Sequence, residues 1–117
     1  MKITELVIGC FNMDAMLAFY ENVFDINFKN IEIKQMKIHE SYIDAIKITL
    51  CPASMAGITA RDNRHQLTFA VDDIRSCIKK VEAFGGIFMN LTEETNKSIE
   101  IAIRDVDGNS IVLKQTV

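Results

Sequence analysis

The stretch Asp105-Val106-Asp107-Gly108-Asn109-Ser110-Ile111-Val112-Leu113 decides the fold. Its first five residues make a turn with Asp, Gly and Asn in it, followed by an apolar run. Asp and Asn side chains bond their own backbone in turns, and Gly takes positive φ at no steric cost. Just upstream, Ser98–Arg104 carries Ile99, Ile101 and Ile103 at every second position, the period of a strand with one buried face. Two extended runs joined by such a turn predict a β-hairpin.

Moving back from the hairpin, Ile87–Leu91 reads as a strand and Thr92–Lys97 as a polar turn. Before them, Asp73 stands where an N-cap belongs, and Ile74, Cys77, Ile78, Val81 and Phe84 follow at helical spacing. Gly85-Gly86 supplies the helix stop. The alternating run Gln66–Val71 precedes this helix. The same order occupies the first half of the chain. Ile3–Cys10 alternates, and Asn12 is an N-cap with Asp14 in the first turn. Met13, Met16, Leu17, Tyr20, Val23 and Phe24 form a helical stripe that should end near Phe24 or Asp25. Ile26–Lys34, Met36–Tyr42 and Ala45–Cys51 read as strands, the last closed by Pro52. Asn12 and Asp73 lie 61 residues apart, and a shift of 61 carries five stripe positions of the first helix onto apolar residues of the second.

The chain therefore reads as α+β: two βαβββ units, residues 1–52 and 65–117, joined by a small, polar linker at 53–64. Two such units placed edge to edge form an open, half-barrel mixed sheet. The helices cover its convex face, above Leu6, Ile8, Leu67, Phe69, Ile111 and Leu113. The alternate residues then line a concave trough, the natural place for a ligand.

Composition bounds the partners. At 117 residues, 49% apolar and 25% charged, the chain fits one globular domain. A net charge of −3 with no Lys/Arg stripe argues against nucleic acid. No apolar run approaches the roughly 18 residues needed to span a bilayer, and the N-terminus lacks the pattern of a secretory leader. No membrane partner and a cytoplasmic location are expected. Cys10, Cys51 and Cys77 show no CxxC spacing and read as small buried hydrophobes rather than a disulfide framework or a zinc site.

The order of elements, the pair Phe19-Tyr20 in the first helix, Val71-Asp72-Asp73-Ile74, and Asp105–Leu113 resemble the vicinal-oxygen-chelate superfamily, the group of glyoxalase I, bleomycin-resistance proteins and extradiol dioxygenases. The resemblance covers essentially the whole chain, with DVDGN where the usual turn is DPDGN. It implies a small-molecule ligand, a homodimer, and, for the enzymes, lyase, isomerase or dioxygenase chemistry at a divalent metal. The metal ligands of that pattern come from the first and fourth strands of each unit. The matching positions here are Glu5 and Lys47, and Gln66 and Val112. Val112 cannot ligate and stands where the pattern has Glu. Lys47 offers an ammonium that repels a cation. His65 is one residue out of register, which turns it to the other face of a strand. No metal is expected as a cofactor.

The same trough residues suggest a polar grip for a ligand. Glu5 and Lys47 are expected to face each other as an ion pair, functional or purely structural, with Gln66 and Thr68 adding hydrogen bonds and Val112 an apolar contact. His39 is expected to look into the trough near Glu5, where a carboxylate partner would make it a base. No catalytic residue is assigned, and whether the chain is an enzyme stays open. Three readings follow: a metal-free small-molecule binder of the glyoxalase/bleomycin-resistance type, a divalent-metal-dependent lyase, isomerase or dioxygenase with atypical ligands, and a structural or regulatory module whose trough is filled by its own side chains.

Overall fold

The computed structural model describes residues 1–116. Each half builds a four-stranded sheet and one helix. The first half contains β1 (Glu5–Cys10), α1 (Met13–Val23), β2 (Lys29–Ile33), β3 (Met36–Ile43) and β4 (Ile46–Pro52). The second contains β5 (Leu67–Ala70), α2 (Ile74–Ala83), β6 (Ile87–Glu94), β7 (Ser98–Arg104) and β8 (Ser110–Thr116). The strand orders are the same in both halves, β1-β4-β3-β2 and β5-β8-β7-β6. In each, the first strand pairs parallel with the last and the remaining pairs are antiparallel. A parallel pair needs a crossover, and that requirement places α1 and α2 over one face of their sheets.

The α+β architecture of two βαβββ units is thus observed. The sheet itself is not continuous: β1 and β5 each stand at the edge of a separate four-stranded sheet. The seam between those edges is where the cavity described below lies.

The helices form where their caps and stripes require. Asn12 accepts from the Ala15 N–H at 3.3 Å. Asp73 accepts from the N–H groups of Arg75 and Ser76 at 3.1 and 3.3 Å. Both satisfy donors that a helix start otherwise leaves unpaired. α1 buries Met16, Phe19, Tyr20 and Val23, and α2 buries Ile74 and Val81. These meet Cys10, Leu50, Ile101, Ile103, Ile111 and Leu113 in one core shared by both units. The Phe24 and Phe69 rings stack across the units with centroids 4.4 Å apart, a contact worth about 1 kcal/mol beyond the area it buries.

α2 ends in a tight cap in which the Gly86 N–H donates to the Val81 carbonyl at 2.8 Å, with Gly85 in the left-handed region. The chain then passes so close to β7 that a Cβ on Gly86 would lie 2.6 Å from the Arg104 carbonyl oxygen and 2.6 Å from the Phe19 ring.

Most strand boundaries differ from those read in the sequence by one or two residues, and three differences stand out. β2 starts at Lys29 rather than Ile26, because Ile26 is buried and its N–H is taken by the Glu21 carbonyl at the helix exit. β5 is only four residues long. β6 runs on to Glu94, three residues past Leu91. Pairing with β7, across two register shifts, holds this polar end extended, although its residues are exposed and carry no apolar alternation.

Candidate functional site

The closing turn does more than reverse the chain. Asp105 is 2% exposed, and its carboxylate accepts from the N–H groups of Asp107 and Asn109, the Asn109 side-chain amide and the Tyr20 hydroxyl, at 2.7–3.0 Å. Gly108 holds φ +94° in the turn, and Arg104 donates to its carbonyl. Asp107 reaches across to the first unit, where its two oxygens accept the N–H groups of Phe11 and Asn12. The turn of the second unit therefore grips α1 at its start, through Asp107, and along its length, through Tyr20. Two motifs distant in sequence, Phe19-Tyr20 and Asp105–Asn109, are one hydrogen-bonded clamp.

Residues 53–66 run from β4 to β5 across the seam. The Ala53 N–H donates to the Cys10 carbonyl and the Ile58 N–H to the Ala53 carbonyl, so the chain curls back at the end of β1. Ile58 then seats against Gly9, where a Cβ would lie 2.7 Å from its side chain. Further on, the Asn63 side chain behaves as a strand partner for Ser110. It accepts the Ser110 N–H at 2.9 Å and donates to the Ser110 carbonyl at 2.9 Å. Gln66 adds a bond to the Ser110 hydroxyl at 2.7 Å.

Beneath this strap lies a cavity of about 370 Å³. Leu6, Ile8, Leu67, Ile111 and Ile58 give it an apolar lining, and Phe11, Arg61, Arg64 and His65 line it as well. The Arg61 guanidinium sits over the Phe11 ring at 5.2 Å. The cavity touches both units, as expected for a site where two sheet edges meet.

The structure brings the sequence candidates together only in pairs. Glu5 and Lys47 are cross-strand partners, with the ammonium 3.8 Å from the Glu5 carboxylate and 3.3 Å from that of Glu40. Thr49 donates to Glu5 at 2.6 Å. The two carboxylates, Glu40 foremost, raise the Lys47 pKa above its ordinary value. Thr68 and Val112 are partners in the other sheet. Gln66 sits just before β5, bonded to Ser110. His39 does not look into the trough. It is partnered with Leu50, and cross-strand partners project from the same face, so His39 lies on the helix-covered side, 7% exposed. Its neighbour Glu40 is the β3 residue that meets Lys47. None of Glu5, Lys47, Gln66, Thr68, His39 or Val112 lines the cavity.

A divalent metal does not fit the four positions that the family pattern provides. Glu5 is already hydrogen-bonded to Thr49 and faces an ammonium. Gln66 is bonded to Ser110, and Val112 brings only methyl groups. A transition-metal site needs three or more converging imidazole, thiolate or carboxylate ligands, and no such group of His, Cys, Asp or Glu occurs among the described residues.

The thiols are poor nucleophiles. Burial raises the pKa of Cys51 and Cys77. That of Cys10 is pushed up to about 12, by burial first and then by the charges of Asp107 and Asp105. Burial, with the charge of and hydrogen bond to Asp105, raises the Tyr20 pKa well above its usual value. Groups that hold their protons more tightly when folded lend stability below their unfolded pKa and lose it as pH rises. These groups therefore add no pH dependence below about pH 9 and cost stability from there towards pH 12, with Cys10 contributing first, up to about 4 kcal/mol by itself. Urea midpoints measured from pH 8 to 11 should drop less steeply in Cys10→Ala than in the parent protein. Parallel curves for the two would exclude this role of Cys10.

The match to known proteins agrees with this geometry. The sequence model of the glyoxalase/bleomycin resistance protein/dioxygenase superfamily matches residues 2–113, and the chain belongs to that family. No curated protein matches it. Among solved structures it is similar to a glyoxalase/bleomycin resistance protein/dioxygenase family enzyme from Burkholderia phytofirmans, at 17% identity and a TM-score of 0.78 over the whole of both chains. It is similar also to lactoylglutathione lyase from Agrobacterium tumefaciens, at 19% identity and 0.71, covering 97% of this chain and 92% of that one. A fosfomycin resistance protein from Listeria monocytogenes follows at 13% and 0.69, covering 100% and 93%. At such identities the likeness is one of fold, and function has to be argued from the site.

Proposed function

We propose that this glyoxalase-family chain is a small-molecule-binding protein that works without a resident metal. The observation that carries the reading is the seam cavity of about 370 Å³, apolar in its floor and walled by both units. That volume lies in the range of small-ligand sites. An open cavity of this size also counts against a purely structural module filled by its own side chains. The reading locates the ligand in the seam and treats the Glu5–Lys47–Glu40 cluster as a pairing that neutralises charges within the sheet.

The protein is proposed to act as a homodimer in the cytoplasm. Support for pairing comes from β6, an edge strand that exposes Ile87, Phe88, Met89 and Leu91, apolar surface that a monomer seldom leaves uncovered. Three free thiols support a reducing compartment.

A thermal-shift screen of small organic molecules, run with and without added Zn²⁺, Ni²⁺, Mn²⁺ or Fe²⁺, tests the reading. Expected is a ligand-dependent rise in Tm that EDTA leaves unchanged, with well under about one equivalent of metal retained after reconstitution. Stoichiometric metal, or hits that vanish with EDTA, would replace it with the metal-dependent enzyme.

A further inference from the structure

The polar groups around the cavity divide into two sets. One is committed to the fold. Tyr20 and Asn109 donate to Asp105, Asp107 accepts the Phe11 and Asn12 N–H groups, and Asn63 is bonded to Ser110. The other set has its bonding capacity free. Arg61 and Arg64 line the cavity, and neither has a carboxylate within 4.0 Å among the described residues, where the ion pairs are those of Lys47 and Lys114. Two carboxylates, Asp62 and Asp107, share the lining with the two guanidinium groups, and the oxygens of Asp107 are already turned to the Phe11 and Asn12 N–H groups.

We infer that the cavity takes a small organic oxyanion, a compact apolar body carrying a carboxylate or phosphonate, with Arg61 and Arg64 as its charge-reading residues. This rests on the small-molecule reading above and deepens it. A guanidinium is always charged, and its planar fork matches the two oxygens of such a group. The Phe11 ring face attracts the Arg61 guanidinium and does not use up its N–H donors. The apolar body would occupy the floor between Leu6, Ile8, Leu67 and Ile111. The start of α1 does not compete for the anion, because Asp107 already occupies it.

The inference is tested by comparing charged and neutral probes of one shape. Titrations of the intact protein would use 4-phenylbutyrate and phenylphosphonate, with 4-phenyl-1-butanol as the uncharged match and inorganic phosphate as the bare charge. Binding is read by calorimetry and by amide shifts at Val7, Ile58 and Leu67. The acid should bind at least about tenfold more tightly than the alcohol and weaken as salt is added. In the double variant Arg61→Gln/Arg64→Gln that advantage should vanish, with alcohol binding and Tm unchanged. An alcohol that binds as well as the acid overturns the anion inference and leaves the small-molecule reading standing. So does an acid whose affinity survives both substitutions, or whose affinity in the parent protein is indifferent to salt. Phosphate binding as tightly as phenylphosphonate overturns the requirement for an apolar body. No response at the cavity to any of the four probes overturns the anion inference, while the small-molecule reading stands or falls on the thermal-shift screen.

Discussion

Asp105→Ala is expected to destabilise the protein by about 3–5 kcal/mol, a large part of the total for a domain of this size. The carboxylate accepts four hydrogen bonds, and the Tyr20 hydroxyl among the donors is buried in the core. Removing the acceptor strands that hydroxyl, and each buried donor left unpaired costs about 1–3 kcal/mol. It also frees the turn that delivers Asp107 to the start of α1. Tyr20→Phe removes one of the four bonds and no acceptor, so about 1–2 kcal/mol is expected there. Urea denaturation at pH 7 reads both. A shift in midpoint for Asp105→Ala no larger than that for Tyr20→Phe would mean that the turn does not act as a clamp.

The second large effect is Gly86→Ala. The added methyl meets the Arg104 carbonyl oxygen and the Phe19 ring at 2.6 Å, and Val81 at 2.9 Å. The ring and the valine are core side chains with no exposed space to enter. The carbonyl belongs to β7, held by ladders to β6 on one side and β8 on the other. Nothing at the site yields cheaply, so about 3 kcal/mol is expected, the upper part of the range for overpacking. Gly57→Ala is the control: that glycine, unlike Gly86, has positive φ, but open space surrounds it, and only about 1 kcal/mol of backbone strain applies. Equal losses in the two variants would refute the close approach at Gly86.

Much of the fold was legible because its signals are local. Asn12 and Asp73 announce helix starts by their own chemistry, and the 61-residue shift between stripes reflects two units that bury the same face. The cavity was not legible. Residues 53–66 have no period, and their path is set by Asn63 bonding to a strand 47 residues away. They therefore read as a connector, although they supply Arg61 and Arg64. The misplaced His39 has a different cause. Alternation divides a strand into two faces but does not say which one faces the helix. Only the pairing of His39 with Leu50 decides that, and pairing is a tertiary fact. Glu5 and Lys47 were legible as partners because both stand near the start of strands whose order the repeat dictates. That a cavity lies at the seam, away from them, followed from no residue pattern.

The clamp also sets a timetable. Tyr20 finds its acceptor 85 residues later in the chain, and the N–H of Phe11 finds its own 96 residues later. A polypeptide emerges from the ribosome N-terminus first, at roughly 5–20 residues per second. For several seconds, then, the first helix exists without the groups that anchor it. Contacts so distant along the chain make folding slow, because the loop between them must close before they contribute. The first unit is thus a half-finished structure that its own last hairpin completes.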